Sequence, residues 1–233
     1  MKKLSIVIPC YNEEESIDYL YKQITPAIKE LKKSYKVELI LVDDGSTDNT
    51  LKLMEIYFKK EANIVTYQDN RNVGGALKEG FKHVTGDIVV TIDSDCTYPP
   101  KDIKNILKLL DDDTDIVTAS PYHPDGKVEN VPKYRLFLSR TISKIYGRIV
   151  GKKLYTYTSI FRAFRREVLD YVEIKSNGFI GVTEFLIFAI MKGYRVKEFP
   201  TTLHSRIYGE SKIKLFKTIK EHLKLIMYIL GVK

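Results

Sequence analysis

The chain of 233 residues lacks several features that would assign it to common protein classes. It contains only two cysteines, and Cys10 and Cys96 have no Cys-x-x-Cys spacing, which argues against a disulfide framework or a zinc site. No apolar run reaches the roughly 18 residues of a membrane-spanning helix, and the apolar run that follows Met1 is too short for a signal peptide. These absences predict a soluble or peripheral cytoplasmic protein.

Two glycine-rich phosphate-binding motifs are also missing. The first predicted strand is not followed by Gly-x-Gly-x-x-Gly, which marks a dinucleotide-binding site, and no Walker phosphate loop is present. Asn-Val-Gly-Gly-Ala at residues 72–76 is glycine-rich but follows the third predicted strand, so it is weak support by itself. The predicted strand ends carry carboxylates rather than glycines, which indicates that the phosphates of a bound nucleotide would be held through a metal.

The formal net charge of +8 is distributed unevenly along the chain. Residues 1–125 contain 16 Lys and Arg against 22 Asp and Glu, whereas residues 126–233 contain 22 against 8. The acidic half could hold a cation, and the basic half could hold phosphates or face anionic lipid. We do not expect nucleic acid as a partner, because no helix-turn-helix, RNA-recognition or zinc-finger pattern accompanies the basic charge.

The first half of the chain contains a regular alternation of strands and helices. The predicted strands are Leu4–Pro9, Val37–Val42, Asn63–Gln68, Asp87–Ile92 and Asp115–Ser120. The predicted helices are Glu14–Lys33, Thr47–Lys60, Gly74–Val84 and Lys101–Leu110. This series predicts an α/β fold with a mostly parallel sheet flanked by helices. Residues 121–132 are the one long irregular stretch.

Two carboxylates follow the fourth predicted strand, in the sequence Ile-Asp-Ser-Asp. Side chains at positions i and i+2 of an extended segment point to the same side, so Asp93 and Asp95 can converge. Two like charges at short range favour a cation between them, and carboxylate oxygens suit Mg²⁺ or Mn²⁺, which often complete their shells with substrate phosphates. A polar turn after a strand is the alternative, since Asp-x-Asp alone is common.

Several longer motifs together resemble the family 2 glycosyltransferases. They are Ser-Ile-Val-Ile-Pro-Cys-Tyr-Asn-Glu-Glu at 5–14, Val-Asp-Asp-Gly-Ser-Thr-Asp at 42–48 and Asp-Ser-Asp at 93–95. The segments at 127–135, 158–166 and 206–212 are similar to the branch of dolichyl-phosphate mannose synthases and polyprenyl-phosphate glycosyltransferases. The resemblance implies a GT-A (Rossmann-like) domain over residues 1–211, with a nucleotide-sugar-binding half (1–120) and an acceptor half (121–211). An apolar stripe at helical spacing, with lysines on another face, predicts a basic amphipathic helix over 212–233. The members of the stripe are Ile213, Phe216, Ile219, Leu223, Ile226, Met227 and Leu230.

The resemblance also implies roles for residues at the first two strand ends. Pro9, Tyr11 and Glu13 would line the nucleoside pocket. Asp44 would accept a hydrogen bond from the base, with Asp43 close behind. The sequence does not distinguish a GDP-sugar from a UDP-sugar as the donor.

Phosphate binding and catalysis are assigned in the same way. Asp93 and Asp95 would bind the metal and the diphosphate, so that both would be catalytic and Asp93 would also contact the nucleotide. Arg135, Arg206 and Lys212 would meet the donor diphosphate or the acceptor phosphate, with Arg206 also catalytic. Arginine and lysine suit phosphate oxygens chemically.

Glu184 lies in an otherwise apolar predicted helix and matches an acidic position of the family near the acceptor. A catalytic role and an ion pair with a basic residue are equally compatible with the sequence, because an isolated acid is costly to bury unless it is paired. The four histidines show no metal-binding spacing and are interpreted as loop or surface residues.

The chain departs from the pattern of its branch at several positions. Thr97 replaces a glutamine able to join the metal shell, and Pro121 replaces a phosphate-binding arginine. Thr156 and Ile160 replace an aspartate and a glycine. The absence of tryptophan excludes the Gln-x-x-Arg-Trp element of processive polysaccharide synthases, so a single transfer is favoured.

The expected reaction is a metal-dependent, inverting transfer of one hexose from a nucleotide sugar to a polyprenyl or dolichyl phosphate. Transfer to a soluble hydroxyl acceptor, or nucleotide binding without turnover, are the alternatives. Related enzymes often continue into transmembrane helices or use a small membrane subunit, whereas this chain ends at Lys233 without a span. We therefore expect peripheral attachment at the cytoplasmic face of an anionic membrane, through residues 213–230 and 133–152.

Overall fold

A computed structural model describes residues 1–209 and 215–231. The strands are β1 (Lys3–Cys10), β2 (Lys36–Asp43), β3 (Ala62–Thr66), β4 (Ile88–Thr91), β5 (Ile116–Ser120), β6 (Lys127–Glu129), β7 (Arg162–Arg165), β8 (Val196–Pro200) and β9 (Thr202–His204). The α-helices are α1 (Ile17–Leu31), α2 (Thr50–Phe58), α3 (Asn72–Phe81), α4 (Ile103–Lys108), α5 (Lys133–Ile149), α6 (Val168–Tyr171), α7 (Ile180–Met191) and α8 (Leu215–Ile229). A short 3-10 helix, Pro100–Asp102, precedes α4.

Seven strands form one sheet in the order β3-β2-β1-β4-β7-β5-β8, and β6 pairs with β9 in a separate two-stranded ribbon. Every pair in the large sheet is parallel except those that β7 makes with β4 and β5. The predicted mostly parallel α/β sheet is therefore confirmed. Because β1 lies between β2 and β4, the polar segments that follow these three strands lie at one edge of the sheet.

The two faces of the sheet carry separate hydrophobic cores. Along β1, Leu4, Ile6 and Ile8 pack with α1, α2 and α4 on one face, whereas Val7 packs with α3 and α7 on the other. This alternation follows from the two-residue period of a strand. With both faces covered, the strand ends are the part of the sheet open to a ligand.

Two predicted helices begin later than expected. Helices predicted from Glu14 and Thr47 begin at Ile17 and Thr50, because the preceding residues bond to each other across the two loops. The Glu14 carboxylate accepts the Asn49 amide N–H at 3.0 Å, and Asn12 Oδ1 accepts the Thr47 N–H at 2.8 Å. Side chains of this kind compete with helix formation by binding backbone groups.

The stretch predicted to be irregular contains one strand. Residues Lys127–Glu129 form β6, which pairs in parallel with β9 from a distant part of the chain. A three-residue strand that depends on such a partner leaves no periodic signal in its own sequence, which explains why the sequence pattern missed it.

Helix α8 packs on the domain through Ile226 of the predicted apolar stripe and through residues outside that stripe. His222 and Leu225 are buried and face α5 and α7. His222 was expected in a loop or at the surface, and that prediction is wrong because its Nδ1 lies 2.9 Å from the buried Tyr146 hydroxyl. Exposed members of the stripe are Phe216, Ile219, Leu223, Met227 and Leu230.

The predicted boundary at residues 211 and 212 lies outside the described residues, as do Lys212 and Ile213. Among the helices of residues 1–209 and 215–231, none combines the length and the apolar character needed to cross a bilayer.

Candidate active site

The loops after β1 and β2 form one interlocked unit at the carboxyl edge of the sheet. Asn12 has a φ of +50°, and its N–H donates to Ser46 Oγ at 3.0 Å. Gly45 has a φ of +68°, and a Cβ there would lie 2.7 Å from the carbonyl oxygen of Gln68. Glycine is therefore required at this turn, both by its φ and by the approach of the segment after β3.

Arg206 joins the end of β1 to the segment after β4. Its guanidinium donates Nη2–H to Glu13 Oε1 at 2.7 Å and Nη1–H to Glu13 Oε2 at 3.1 Å. Its Nε–H donates to Asp95 Oδ2 at 3.0 Å. The side chain of Glu13 is 6% exposed, that of Asp95 13% and that of Arg206 19%. Three residues predicted from the sequence to serve one site are thus in direct contact.

Asp93 belongs to the same electrostatic group. Burial raises the pKa of the Asp93 carboxyl well above its usual range, and the neighbouring Asp95 and Glu13 raise it further, although Arg206 opposes them. Burial also raises the pKa of Glu13, against the lowering effect of Arg206. Three acids around one guanidinium form a cluster that lacks positive charge, and additional cationic charge would stabilise it.

The cluster fits a divalent cation that a substrate helps to hold. Among the described residues, no group of three or more His, Cys, Asp and Glu side chains is arranged to hold a metal by itself. Mg²⁺ is commonly bound by one or two carboxylates together with waters and substrate phosphates. Asp93 and Asp95 supply that number of carboxylates, and the crowding that raises the pKa of Asp93 is what a cation would relieve.

The segment that carries Arg206 lies against the start of α1. The Gly209 N–H donates to the Glu15 carboxylate at 3.0 Å, and the ring centroids of Tyr208 and Tyr19 are 5.5 Å apart. Gly209 has a φ of +66°, a conformation that glycine adopts without strain. Residues 205–209 therefore lie next to the predicted nucleoside pocket. Neither Glu15 nor Tyr19 was predicted as a site residue.

Asp44 organises the loop between β3 and α3. Its Oδ1 accepts the Tyr67 hydroxyl at 2.6 Å and the Arg71 N–H at 2.8 Å, and its Oδ2 accepts Asn70 Nδ2–H at 3.0 Å. Asp44 is 2% exposed, and burial raises the pKa of its carboxyl. The contacts show that Asp44 holds this loop in place. The hydrogen bond that Asp44 was predicted to accept from the base stays a prediction.

The remaining predicted nucleoside residues lie close to Asp44. Asp43 is buried and accepts the Thr66 hydroxyl at 3.0 Å. Pro9 pairs with Val42 in the β1–β2 register, and Tyr11 follows β1 directly; both are half-buried. The structure thus places these side chains at neighbouring strand ends.

Asn70 and Arg71, which bond Asp44, were not predicted. The signal that could have found them is the polar segment Asp-Asn-Arg at residues 69–71, since it follows a third strand at the same edge of the sheet.

Glu184 belongs to a different cluster. Its Oε2 accepts the backbone N–H groups of Lys175 and Ser176 at 2.9 and 2.7 Å. Backbone donors thus satisfy this buried carboxylate, and it makes no ion pair with a basic side chain among the described residues, which was one of the two alternatives. It lines a cavity of about 410 Å³ with residues of the 175–178 loop and of α8. A catalytic role for Glu184 stays a prediction.

The two other predicted phosphate ligands, Arg135 and Lys212, make no described contact with the acids around Arg206. Arg135 is exposed near the start of α5, where its Nε–H donates to the Tyr134 hydroxyl at 3.3 Å. Lys212 lies outside the described residues. Their roles stay predictions.

The departures from the pattern of the branch are accommodated locally. The Thr97 N–H donates to Asp95 Oδ1 at 3.0 Å, so the backbone at this position orients the acid even without a glutamine side chain. Thr156 and Ile160 are buried, and the Thr156 hydroxyl lies 3.0 Å from the Ser120 hydroxyl. These two substitutions serve packing of the core behind the site.

Arg162, in the motif at 158–166, is a buried structural cation. It donates to the carbonyl of Tyr157 at 2.8 Å, to the Thr118 hydroxyl at 3.3 Å and to the carbonyl of Val182. Burial lowers its pKa to about 9. The residue ties β7 to β5 and to the start of α7.

Comparison with known proteins agrees with this architecture. The chain is 36% identical over 228 residues to a dolichol-phosphate mannosyltransferase from Pyrococcus furiosus, a match that covers 96% of this chain and 62% of that relative. The chain therefore spans less than two thirds of the length of that relative.

Solved structures resemble the fold over its whole length. Glucosyl-3-phosphoglycerate synthase from Mycobacterium tuberculosis, in complex with Mn²⁺, UDP and glucosyl-3-phosphoglycerate, aligns with a TM-score of 0.75 at 20% identity, covering 100% of this chain and 81% of that chain. A structure described as a mycobacterial protein aligns with a TM-score of 0.78 at 18% identity, covering 100% and 76%. This likeness concerns the fold alone, and it confirms the predicted GT-A architecture.

The family resemblance predicted from the motifs is confirmed as well. The family model described as glycosyl transferase family 2 matches residues 5–172, which include both interlocked loops and the Asp-Ser-Asp segment. The chain belongs to glycosyl transferase family 2.

Proposed function

We propose that this protein transfers one hexose from a nucleotide sugar to a polyprenyl phosphate, with inversion at the anomeric carbon and with Mg²⁺ or Mn²⁺ at Asp93 and Asp95. The observation that carries the proposal is the convergence of Glu13, Asp95 and Arg206 at the carboxyl edge of the sheet. The relative from Pyrococcus furiosus supports the choice of acceptor, because it is described as a dolichol-phosphate mannosyltransferase.

The donor would lie across the two interlocked loops. Its nucleoside would occupy the pocket near Tyr11 and Asp43, with the loop held by Asp44 behind it. Its diphosphate would extend toward Asp93 and Asp95. A divalent cation bound there would offset the charge that grows on the departing nucleoside diphosphate. The M. tuberculosis synthase supports this use, since its structures include complexes with UDP and Mn²⁺ or Mg²⁺.

The acceptor phosphate needs positioning more than it needs a base. A phosphate monoester has a second pKa of about 6, so it is largely dianionic at neutral pH and can attack without losing a proton to the protein. Arginine offers a planar fork of N–H donors that matches phosphate oxygens. Arg206, in the segment over the site, is the described cation best placed to guide it. A transfer to a hydroxyl acceptor would require a general base in addition.

Attachment to an anionic membrane forms part of the proposal. Helix α8 exposes Phe216, Leu223 and Met227 together with the lysines at 217, 220 and 224. An apolar stripe flanked by lysines is typical of a helix that lies in the lipid interface. Such a location would bring the enzyme to an acceptor that is itself anchored in the bilayer.

Helix α5 adds a second basic surface. Over its 17 residues it has five Lys or Arg and no acidic residue. Arg140, Lys144 and Arg148 recur at four-residue intervals and are exposed, and Phe137 is 70% exposed. Each lysine or arginine near an anionic surface contributes about 1 kcal/mol of attraction. A small membrane subunit, of the kind that related enzymes use, would be a further means of attachment.

The test is a panel of GDP- and UDP-sugars incubated with the protein, Mn²⁺ or Mg²⁺, and a short polyprenyl phosphate. We expect release of nucleoside diphosphate from one donor, dependent on both metal and acceptor. Release that requires a soluble hydroxyl acceptor instead would favour the alternative transferase. Binding of nucleotide without any release would indicate a relative that has lost turnover.

A further inference from the structure

Two acids, Glu13 and Asp95, bind the Arg206 guanidinium with unequal numbers of hydrogen bonds. Glu13 holds the guanidinium through both terminal nitrogens, in the fork-to-fork geometry that gives strong and directional pairs. Asp95 holds it through Nε–H alone, on Oδ2. Glu13 is also the more buried of the two acids. The pair with Glu13 is therefore the stronger anchor, and the bond to Asp95 is the one more readily exchanged.

We propose that Glu13 positions Arg206. In the absence of a donor, the Arg206 guanidinium serves as the counter-ion of Asp95. When a divalent cation binds, the cation replaces the guanidinium at Asp95. This inference rests on the proposed metal site at Asp93 and Asp95. It gives Glu13 a role different from the contact with the nucleoside that the family resemblance implied.

Charge repulsion prevents the Arg206 guanidinium and a divalent cation from binding Asp95 at the same time. A cation bound to Asp95 Oδ2 would lie within a few ångströms of the Arg206 Nε, which is 3.0 Å from the same oxygen. Two like charges at this separation repel even near the protein surface, and a divalent ion repels a guanidinium more strongly than a monovalent ion would. The guanidinium would therefore leave Asp95 while Glu13, on its far side, retains it.

The surrounding contacts keep the released guanidinium beside the site. The Gly209 N–H on Glu15 and the Tyr208 ring against Tyr19 tie the same segment to the start of α1. With these contacts in place, the loss of one hydrogen bond to Asp95 would free the Nε–H for another acceptor without detaching the segment. An N–H donor would then face the diphosphate or the acceptor phosphate at the moment when the cation is bound.

The first test measures binding of Mn²⁺ alone, by the EPR signal of the free ion, with no nucleotide present. If the guanidinium competes with the ion, Arg206→Ala binds Mn²⁺ about tenfold more tightly than the wild type, which corresponds to roughly 1.4 kcal/mol. Arg206→Lys is expected to lie between them, because it keeps the charge but lacks the fork that spans both acids. Equal or weaker binding by Arg206→Ala would overturn the proposal.

Lys101→Ala is the matched control for the change in net charge. Lys101 is exposed and follows the Asp-Ser-Asp segment closely in the chain. Its variant should bind Mn²⁺ within about twofold of the wild type, because the charge of an exposed side chain is screened by salt. If Lys101→Ala tightened binding as much as Arg206→Ala, net charge would explain the effect and the exchange would be refuted. These titrations require no turnover, so they decide the matter even if the proposed transfer fails.

The second test follows the Arg206 Nε–H and Nη–H signals by NMR, identified by their absence from Arg206→Lys. In the wild type we expect Mg²⁺ to shift the Nε–H resonance and to speed its exchange with water, because it loses Asp95, whereas the Nη–H resonances stay protected by Glu13. In Glu13→Gln the Nη–H resonances should broaden through exchange with water. Nη–H resonances that remain sharp and protected in Glu13→Gln would remove Glu13 as the positioning residue.

Once a donor is known, kinetics distinguish two roles of Glu13, the positioning of Arg206 and direct contact with the nucleoside. Glu13→Gln should lower kcat by about tenfold or more with little change in the donor KM, and should add nothing further in an Arg206→Ala background. A raised KM and additive losses would instead show that Glu13 contacts the donor directly. Thermal unfolding of each variant verifies that the comparison is made between folded proteins.

Discussion

The hydroxyl of Tyr146 lies 2.9 Å from Nδ1 of His222, a contact that joins helix α5 to helix α8 inside the protein. Both side chains are buried, and burial lowers the pKa of His222 to about 4. A histidine in the unfolded chain has a pKa of about 6.5, so between these values the unfolded chain binds more protons. The stabilising contribution is therefore fully present above about pH 7 and is lost as the pH falls from about 6.5 toward 4.

The first prediction is that acidification destabilises the docking of α8. The free energy of unfolding should fall by up to about 3 kcal/mol across this window through His222. His222→Gln keeps a polar partner for Tyr146 but cannot titrate, so its stability should depend less on pH. Urea unfolding at several pH values, with hydrogen exchange of residues 215–229, measures the effect. If the free energy of unfolding depended on pH identically in both proteins, His222 would not be the group that controls this dependence.

The second prediction concerns Asp44. In Asp44→Asn one carboxylate oxygen becomes an NH₂ group that cannot accept, so the side chain loses either the bond from Asn70 or the two bonds from Tyr67 and Arg71, together with its charge. We expect a loss of about 1–3 kcal/mol in the free energy of unfolding, as for other buried groups that lose a partner. Tyr67→Phe removes one of the three donors and should cost less, about 1 kcal/mol. Chemical unfolding ranks the two variants, and an equal or larger loss in Tyr67→Phe would contradict the role of Asp44 as the centre of this loop.

The third prediction concerns the acids after β4. Asp95→Asn and Asp93→Asn should each reduce transfer at least about a hundredfold, equivalent to roughly 2.7 kcal/mol of barrier, while the protein remains folded. In the wild type, calorimetry should show that the nucleoside diphosphate binds more tightly with Mn²⁺ than without it. Equal affinity in both conditions would exclude a metal-mediated contact with the diphosphate.

The fourth prediction concerns the membrane. The wild type should float with anionic liposomes at low salt and less at high salt, since surface attraction is screened. Replacing Lys217, Lys220 and Lys224 by alanine should reduce flotation, without the loss of packing at His222 and Leu225 that removal of α8 would cause.

A control for that experiment removes the same charge elsewhere. The lysines at 52, 59 and 60, in and after α2, are also exposed. Their triple alanine variant should float like the wild type. If both triple variants lose flotation equally, net charge rather than the surface of α8 accounts for binding.

The central part of the fold could be predicted from the sequence because its signals are local. β1, β2 and β4 are apolar runs that end in polar segments, and such runs indicate buried parallel strands. The contacts of Glu13 and Asp95 with one arginine could be anticipated only through the family motif. No spacing in the sequence relates Arg206 to residues so distant along the chain.

Other features depend on partners that the local pattern does not contain. β7, whose residues Arg162–Arg165 were recognised as a motif and not as a strand, is defined by antiparallel pairing with β4 and β5. The burial of His222 in α8 was missed because this polar residue becomes apolar in effect once it is buried and neutral. The backbone donors of Glu184 come from a loop whose path is set by the packing of α3 against it.

The proposed function depends most directly on the identity of the acceptor. The decisive measurement incubates the donor found in the panel, labelled in its sugar, with metal and either a polyprenyl phosphate or the polyprenol of the same chain length. We expect label to enter the lipid phase with the polyprenyl phosphate only, because the site supplies cations for a phosphate and the proposed reaction uses no general base. Equal labelling of the polyprenol, or transfer to a water-soluble acceptor alone, would contradict the account.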